Sequence, residues 1–179
     1  MINIKIIIGV IALQFILPSL TFGAENEHGV IKEKQGELSC GNAIVKSRTI
    51  YLDRPDDFRQ VIEQDITVTY NNRTMKLRLD SRNVDKPTFG RVLLDSYVYG
   101  WSCLESIKKQ NYIFLWYVCT SMDENGFCES RQKEWLRIFH ENGNPVAASY
   151  QRHDKRYNKL LRNIGLSQAL KNVKSEDVD

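Results

Sequence analysis

The clearest pattern in the chain is strict alternation on both sides of an Asn-Asn pair. Ile66, Val68 and Tyr70 alternate with Thr67 and Thr69, and Met75, Leu77 and Leu79 alternate with Lys76, Arg78 and Asp80. Period-two alternation on both arms of a turn predicts an antiparallel hairpin with one wet face. Asn71 and Asn72 suit the turn, because asparagine tolerates the left-handed backbone that tight hairpins need.

A second run has no alternation, since every residue from Tyr112 to Val118 is apolar or aromatic. Tyr112, Phe114, Trp116 and Val118 would share one face of a strand, and Ile113, Leu115 and Tyr117 the other. Such a strand belongs in the centre of a sheet with both faces covered. Aromatic and β-branched content and short length favour a strand over a buried helix. The run leads to Cys119, a polar stretch 120–127 and Cys128, and an arm containing Trp135, Leu136, Arg137, Ile138 and Phe139 returns. We read this as a long hairpin around which the chain is organised.

The remaining elements are shorter. Ile44, Val45, Ile50 and Tyr51 predict a strand or bent strand pair within Cys40 to Leu52, and Asp53-Arg54-Pro55-Asp56-Asp57 a turn. Phe58 to Gln64 reads as one helical turn, 81–88 as a loop and Phe89 to Leu94 as a strand. Tyr97, Tyr99, Trp101 and Cys103 then fall on one face of a strand, opposite Val98, Ser102 and Leu104, with Gly100 marking a bulge. Asn142-Gly143 predicts a turn before an edge strand from Pro145 to Ser149. The period then changes: Tyr157, Leu160, Leu161 and Ile164 are spaced i, i+3, i+4, i+7. That is an amphipathic helix, capped by Asp154 and stopped by Gly165. Ser167 is placed to cap a last short helix through Val173.

The fold class expected is mainly β (all-β or α+β), an antiparallel sheet of about seven strands with a short helical C-terminus. Residues 38–174 form its single domain, preceded by a polar flexible arm at 24–37 and followed by a frayed tail at 175–179.

Residues 1–23 stand outside that domain. Lys5 precedes an almost unbroken apolar stretch from Ile6 to Leu17, then come Pro18 and the small residues Thr21 and Gly23. This order reads as a secretory signal peptide, cleaved after Gly23 or Ala24. A membrane anchor needs about 18 to 20 apolar residues, and this stretch is shorter and ends at proline. The expected location is periplasmic or extracellular, with no stable membrane insertion after cleavage. All four cysteines follow the cut. An even number in an oxidising compartment predicts two disulfides. Cys119 and Cys128 flank one hairpin tip and should pair, which leaves Cys40 with Cys103.

The formal charge is +3, too small to imply a nucleic-acid partner. No Gly-x-Ser-x-Gly elbow, phosphate-cradling glycine loop or His-Glu-x-x-His motif occurs. No catalytic residue, metal or cofactor is assigned. His140 beside Glu141 and His153 beside Asp154 are the alternatives, as a general base acting on a serine such as Ser149 or as a metal pair. Neighbouring strand residues point to opposite faces, however, and a helix cap already accounts for Asp154. Asp123-Glu124-Asn125-Gly126 resembles a calcium loop only in part, lacking the spacing and distal glutamate of an EF-hand.

Two contact surfaces remain. Asp123, Glu124, Asn125 and Phe127 would sit on a disulfide-clamped tip, and a pre-organised loop loses little entropy on docking. Arg152, Lys155, Arg156, Lys159 and Arg162 would make a basic helix face suited to anionic lipid, glycan or acidic protein. The reading is an exported binding protein, such as an inhibitor or immunity-type partner of an envelope-acting enzyme. Its partner would be a protein in the envelope or outside the cell. A small envelope hydrolase and a passive scaffold are the alternatives.

Overall fold

The computed structural model describes residues 29–53, 60–83, 90–119, 134–151, 154–167 and 176–177. In chain order these contain β1 (Val30–Cys40), β2 (Ala43–Asp53), β3 (Gln60–Tyr70), β4 (Arg73–Lys76), β5 (Ser96–Glu105), β6 (Asn111–Cys119), β7 (Glu134–His140), β8 (Tyr150–Gln151), α1 (Lys155–Ile164) and β9 (Glu176–Asp177). The protein is mainly β. Strands β1-β2-β3-β4 form one antiparallel meander, and β8-β7-β6-β5-β9 a second antiparallel sheet.

The order of layers follows from β6. Ile113, Leu115 and Tyr117 are buried with Val45, Ile66 and Val68 of the first sheet, and Trp101, Trp135 and Phe139 join them. Tyr112 and Phe114 on the other face are buried with Leu136, Ile138 and the α1 residues Tyr157 and Leu161. The second sheet is therefore the middle layer, covered by the first sheet on one side and by the helix on the other. Each large apolar side chain so buried is worth roughly 1.5 to 3 kcal/mol. Five of them lie on β6 and two on α1, so the strand contributes more buried apolar side chains to these two interfaces than the helix does.

Three features lock the two sheets together. Cys40 at the end of β1 is bonded to Cys103 in β5, with Cα atoms 5.1 Å apart. Gln64 is buried in β3 and behaves as a fragment of strand. Its amide donates to Val98 O at 2.9 Å and to Thr49 Oγ1 at 3.0 Å, while its oxygen accepts from Val98 N at 2.7 Å. Gly36 allows close approach, since a Cβ there would lie 3.2 Å from Trp101 and 2.9 Å from Ser47 Oγ.

Several expectations need correction. The first strand begins at Val30, within the predicted flexible arm, so residues 30–37 are strand. From Lys32 to Glu37 they are polar apart from Gly36, and Val30 and Ile31 are themselves exposed, so no alternation could be read; backbone pairing with β2 holds them. Cross-strand contacts add to it, with Arg48 on Glu33 at 3.0 Å and Lys46 on Glu37 at 3.1 Å. Exposed pairs of this kind add little stability but disfavour a slipped register. Residues 60–64, expected as a helical turn, open β3, with Val61 and Gln64 facing inward. Residues 90–94 form no strand; Leu94 makes an isolated bridge to Asn83 and a bond to Val61 O. Pro145 likewise makes a single bridge to Phe139, and the edge strand is confined to Tyr150–Gln151. Glu176 and Asp177, placed in the frayed tail, pair with Trp101 and Gly100.

The bulge lies between Val98 and Gly100, and Tyr99 is the extra residue. It changes the phase of β5, so Val98, Trp101 and Cys103 share the inter-sheet face and Tyr99 is left 37% exposed. Asn71 and Asn72 take the left-handed conformation expected of them, with φ of 49° and 60°. Asp154 caps α1 and Gly165 ends it at φ 74°. The Ser167–Val173 helix falls almost wholly outside the described residues.

The Cys40–Cys103 bond closes a loop of 63 residues in sequence separation. Chain entropy for a loop of that length predicts that Cys40→Ala/Cys103→Ala lowers unfolding free energy by about 4 kcal/mol. Urea unfolding of the oxidised parent and the double variant measures it, with a midpoint shift as the readout.

Candidate functional site

The root of the β6–β7 hairpin is braced by ring stacking, strand pairing and a disulfide-bonded cysteine. Tyr117 and Trp135 lie opposite each other in the register and their rings stack at 5.3 Å and 9°. Beyond them Val118 pairs with Glu134, and Cys119 is disulfide-bonded. Its expected partner Cys128 lies outside the described residues, as do Asp123, Glu124, Asn125 and Phe127. Position 119 is thus anchored where residues 120–133 depart, and Glu134 is paired where they return.

Beneath this root is a polar cluster that sequence reasoning missed. The segment after β4 carries Asp80 across the end of β7. Arg137 donates to Asp80 Oδ1 at 2.6 Å and to Arg78 O at 2.7 Å. The Trp135 indole N–H donates to Asp80 Oδ2 at 3.2 Å, and the Ser149 hydroxyl donates to the same oxygen. The Asp80 and Arg137 side chains are only 16% and 13% exposed. Arg137 also lies 5.0 Å from the centre of the Phe139 ring. The Tyr117 hydroxyl is buried beside Asp80 and Arg137 but meets neither at full hydrogen-bonding geometry. Burial, and then the negative charge of Asp80, raise the Tyr117 phenol well above the usual tyrosine range, against the opposing pull of Arg137. A weak signal was present in the sequence for one partner: Arg137 is in phase with Trp135 and Phe139 in an apolar run, and a charge there needs a partner. Asp80 falls on the polar side of its own alternation and gave no such signal.

The histidine readings fare differently. His140 is exposed and its ring lies 5.3 Å from that of Tyr112, on the helix side of the second sheet. Ser149 reaches Asp80 on the inter-sheet side, so His140 and Ser149 are not brought together. Glu141 turns away to the β1–β2 turn, where its carboxylate accepts from Asn42 N at 3.4 Å and Asn111 Nδ2 at 3.5 Å. His153 lies outside the described residues. Among the described residues no group of three or more His, Cys, Asp or Glu stands close enough together to hold a metal ion.

The basic helix face is formed by Lys155, Arg156, Lys159 and Arg162, all exposed, while Arg152 lies outside the described residues. Arg156 is committed to Asp154 at 2.7 Å, and its guanidinium lies 5.8 Å from the Tyr150 ring centre. The hydrogen bonds from Arg156 hold the Asp154 carboxyl below its ordinary range. Lys155, Lys159 and Arg162 form no ion pair among the described residues. No helix among the described residues is long and apolar enough to cross a membrane.

Fold and site together define a mainly β protein of two packed antiparallel sheets with one covering helix. Compared with known proteins, the chain matches no family model, no curated protein and no solved structure.

Two outcomes test the buried cluster. Asp80→Ala leaves Arg137 without its counter-charge and should cost about 3 to 5 kcal/mol in urea unfolding. Asp80→Leu/Arg137→Met should recover part of that loss, with the Trp135 indole and Ser149 hydroxyl still lacking their acceptor; a double variant no better than Asp80→Ala would contradict the pairing. For Tyr117 the raised folded value means the native state keeps a proton that the unfolded chain gives up. Stability is then fully present below the ordinary tyrosine value of about 10 and falls as pH rises beyond it. In Tyr117→Phe that alkaline loss should shrink, as followed by unfolding midpoints across the alkaline range.

Proposed function

We propose that the protein is an exported, disulfide-stabilised binding protein with no chemistry of its own. It acts as an inhibitor or immunity-type partner of a protein in the cell envelope or outside the cell. The observation that carries this reading is the bracing of the β6–β7 root. Ring stacking, a disulfide at Cys119 and the Asp80–Arg137 cluster hold a rigid base under residues 120–133. A segment fixed at its base gives up less conformational entropy on docking, which favours a role in contact. The acidic, amide and aromatic side chains of Asp123, Glu124, Asn125 and Phe127 are its binding residues in this reading. Signal-like residues 1–23 supply the route of export and two disulfides suit the destination. Of the hydrolase alternative, the form in which His140 acts on Ser149 loses support because the fold separates the two; the form that uses His153 lies outside the described residues.

The test is affinity capture from the organism's own envelope fraction with the 24–179 chain, followed by titration with the captured protein. Asp123→Ala/Glu124→Ala/Phe127→Ala should weaken binding by at least about tenfold, as loss of one buried anchor does. His140→Ala should leave binding intact. Unchanged affinity in the triple variant would remove the tip from the proposal.

A further inference from the structure

We infer that the outer face of α1 and the β5–β6 turn beside it form a docking surface for an anionic lipid bilayer. The inference is independent of the hairpin contact proposed above.

Lys155, Lys159 and Arg162 are spaced i, i+4 and i+7, so they line one stripe of α1, and all three are exposed. The helix itself contains no acidic residue, and Asp154 at its start is already bonded to Arg156. The β5–β6 turn is fastened to the other end of α1. Ile107 N donates to Gly165 O at 3.1 Å, and a Cβ on Gly165 would fall 2.6 Å from Ile107 Cγ1. Ile107 is 72% exposed, the largest value among the exposed large apolar side chains of the described residues. Lys108 and Lys109 follow it; Lys109 is paired with Glu105 at 2.6 Å, whereas Lys108 has no ion pair among the described residues. An exposed aliphatic side chain, tied through its backbone to the C-terminal end of α1, therefore accompanies a stripe of cations that form no ion pair among the described residues.

That combination fits a lipid surface better than an acidic protein groove. The apolar side of α1 is already used against the second sheet through Tyr157 and Leu161. The helix cannot insert, and attraction must come from charge, with Ile107 entering the headgroup region. Each cation near an anionic leaflet contributes an amount equivalent to about fivefold in partitioning. Three unpaired cations on the stripe together amount to about 100-fold.

The experiment is co-sedimentation of the 24–179 chain, which retains every described residue, with phosphatidylcholine vesicles containing or lacking phosphatidylglycerol. Omitting residues 1–23 keeps the apolar Ile6–Leu17 stretch from adding its own partitioning. Binding should require phosphatidylglycerol and fall steeply with salt. Lys155→Gln/Lys159→Gln/Arg162→Gln should reduce it by about 100-fold. Ile107→Ser should reduce it by about tenfold with the salt dependence retained. All substituted positions are exposed, and unchanged thermal melting confirms that each variant is folded. Equal binding to vesicles without phosphatidylglycerol, or undiminished binding by the triple variant, overturns the proposal. Binding to soluble polyglutamate without binding to anionic vesicles also overturns it, and assigns the stripe to an acidic polymer instead.

Discussion

A strand that is apolar on both faces has no stable place at a surface, and β6 imposes that constraint on the whole molecule. Its seven-residue apolar run must find a cover on each side. The first sheet supplies one and α1 the other, so the three-layer order is a consequence of one segment's composition. Disulfide, Gln64 and Gly36 refine how closely the first sheet approaches, but none of them decides that it must.

The polar groups drawn into this arrangement behave as joints. Gln64 closes the backbone of β5 at Val98, beside the bulge that would otherwise leave that segment short of partners. Asp80 gathers an indole, a guanidinium and a hydroxyl over the end of β7. Low exposure makes both joints demanding, because a buried donor or charge that loses its partner costs more than the bond itself contributes. The result is a frame with a braced hairpin root at Tyr117 and Trp135 and an outer helix that presents cations.

Under the two proposals made above, these regions place different demands on a partner. At the hairpin root, rigidity is built from stacking and covalent closure, which suits shape-specific contact. Along α1, the exposed lysines and arginine are flexible point charges that suit a diffuse anionic surface. A protein held near a bilayer by one face can search for a protein target with the other, since confinement to a surface raises effective concentration.

The segments legible in the sequence were those whose period was strong and whose environment was local. The Asn71-Asn72 hairpin, the two-faced β6, the Asp154-to-Gly165 helix and the presence of a bulge near Gly100 all follow from short-range pattern and turn chemistry. The charged stripe of α1 was equally visible, because helical spacing alone aligns Lys155, Lys159 and Arg162. Residues 30–37 were illegible: two adjacent apolar residues followed by a polar stretch have no period to read, and the ladder with β2 makes them a strand. The inward turn of Gln64, the meeting of Asp80 with Arg137 across 57 positions, and the docking of Ile107 on Gly165 were likewise hidden. Each depends on where separate elements come to rest, and no local sequence term carries that information. The chain by itself determined which segments had to be covered; the packed sheets decided which polar groups would do the joining and which would be left facing outward.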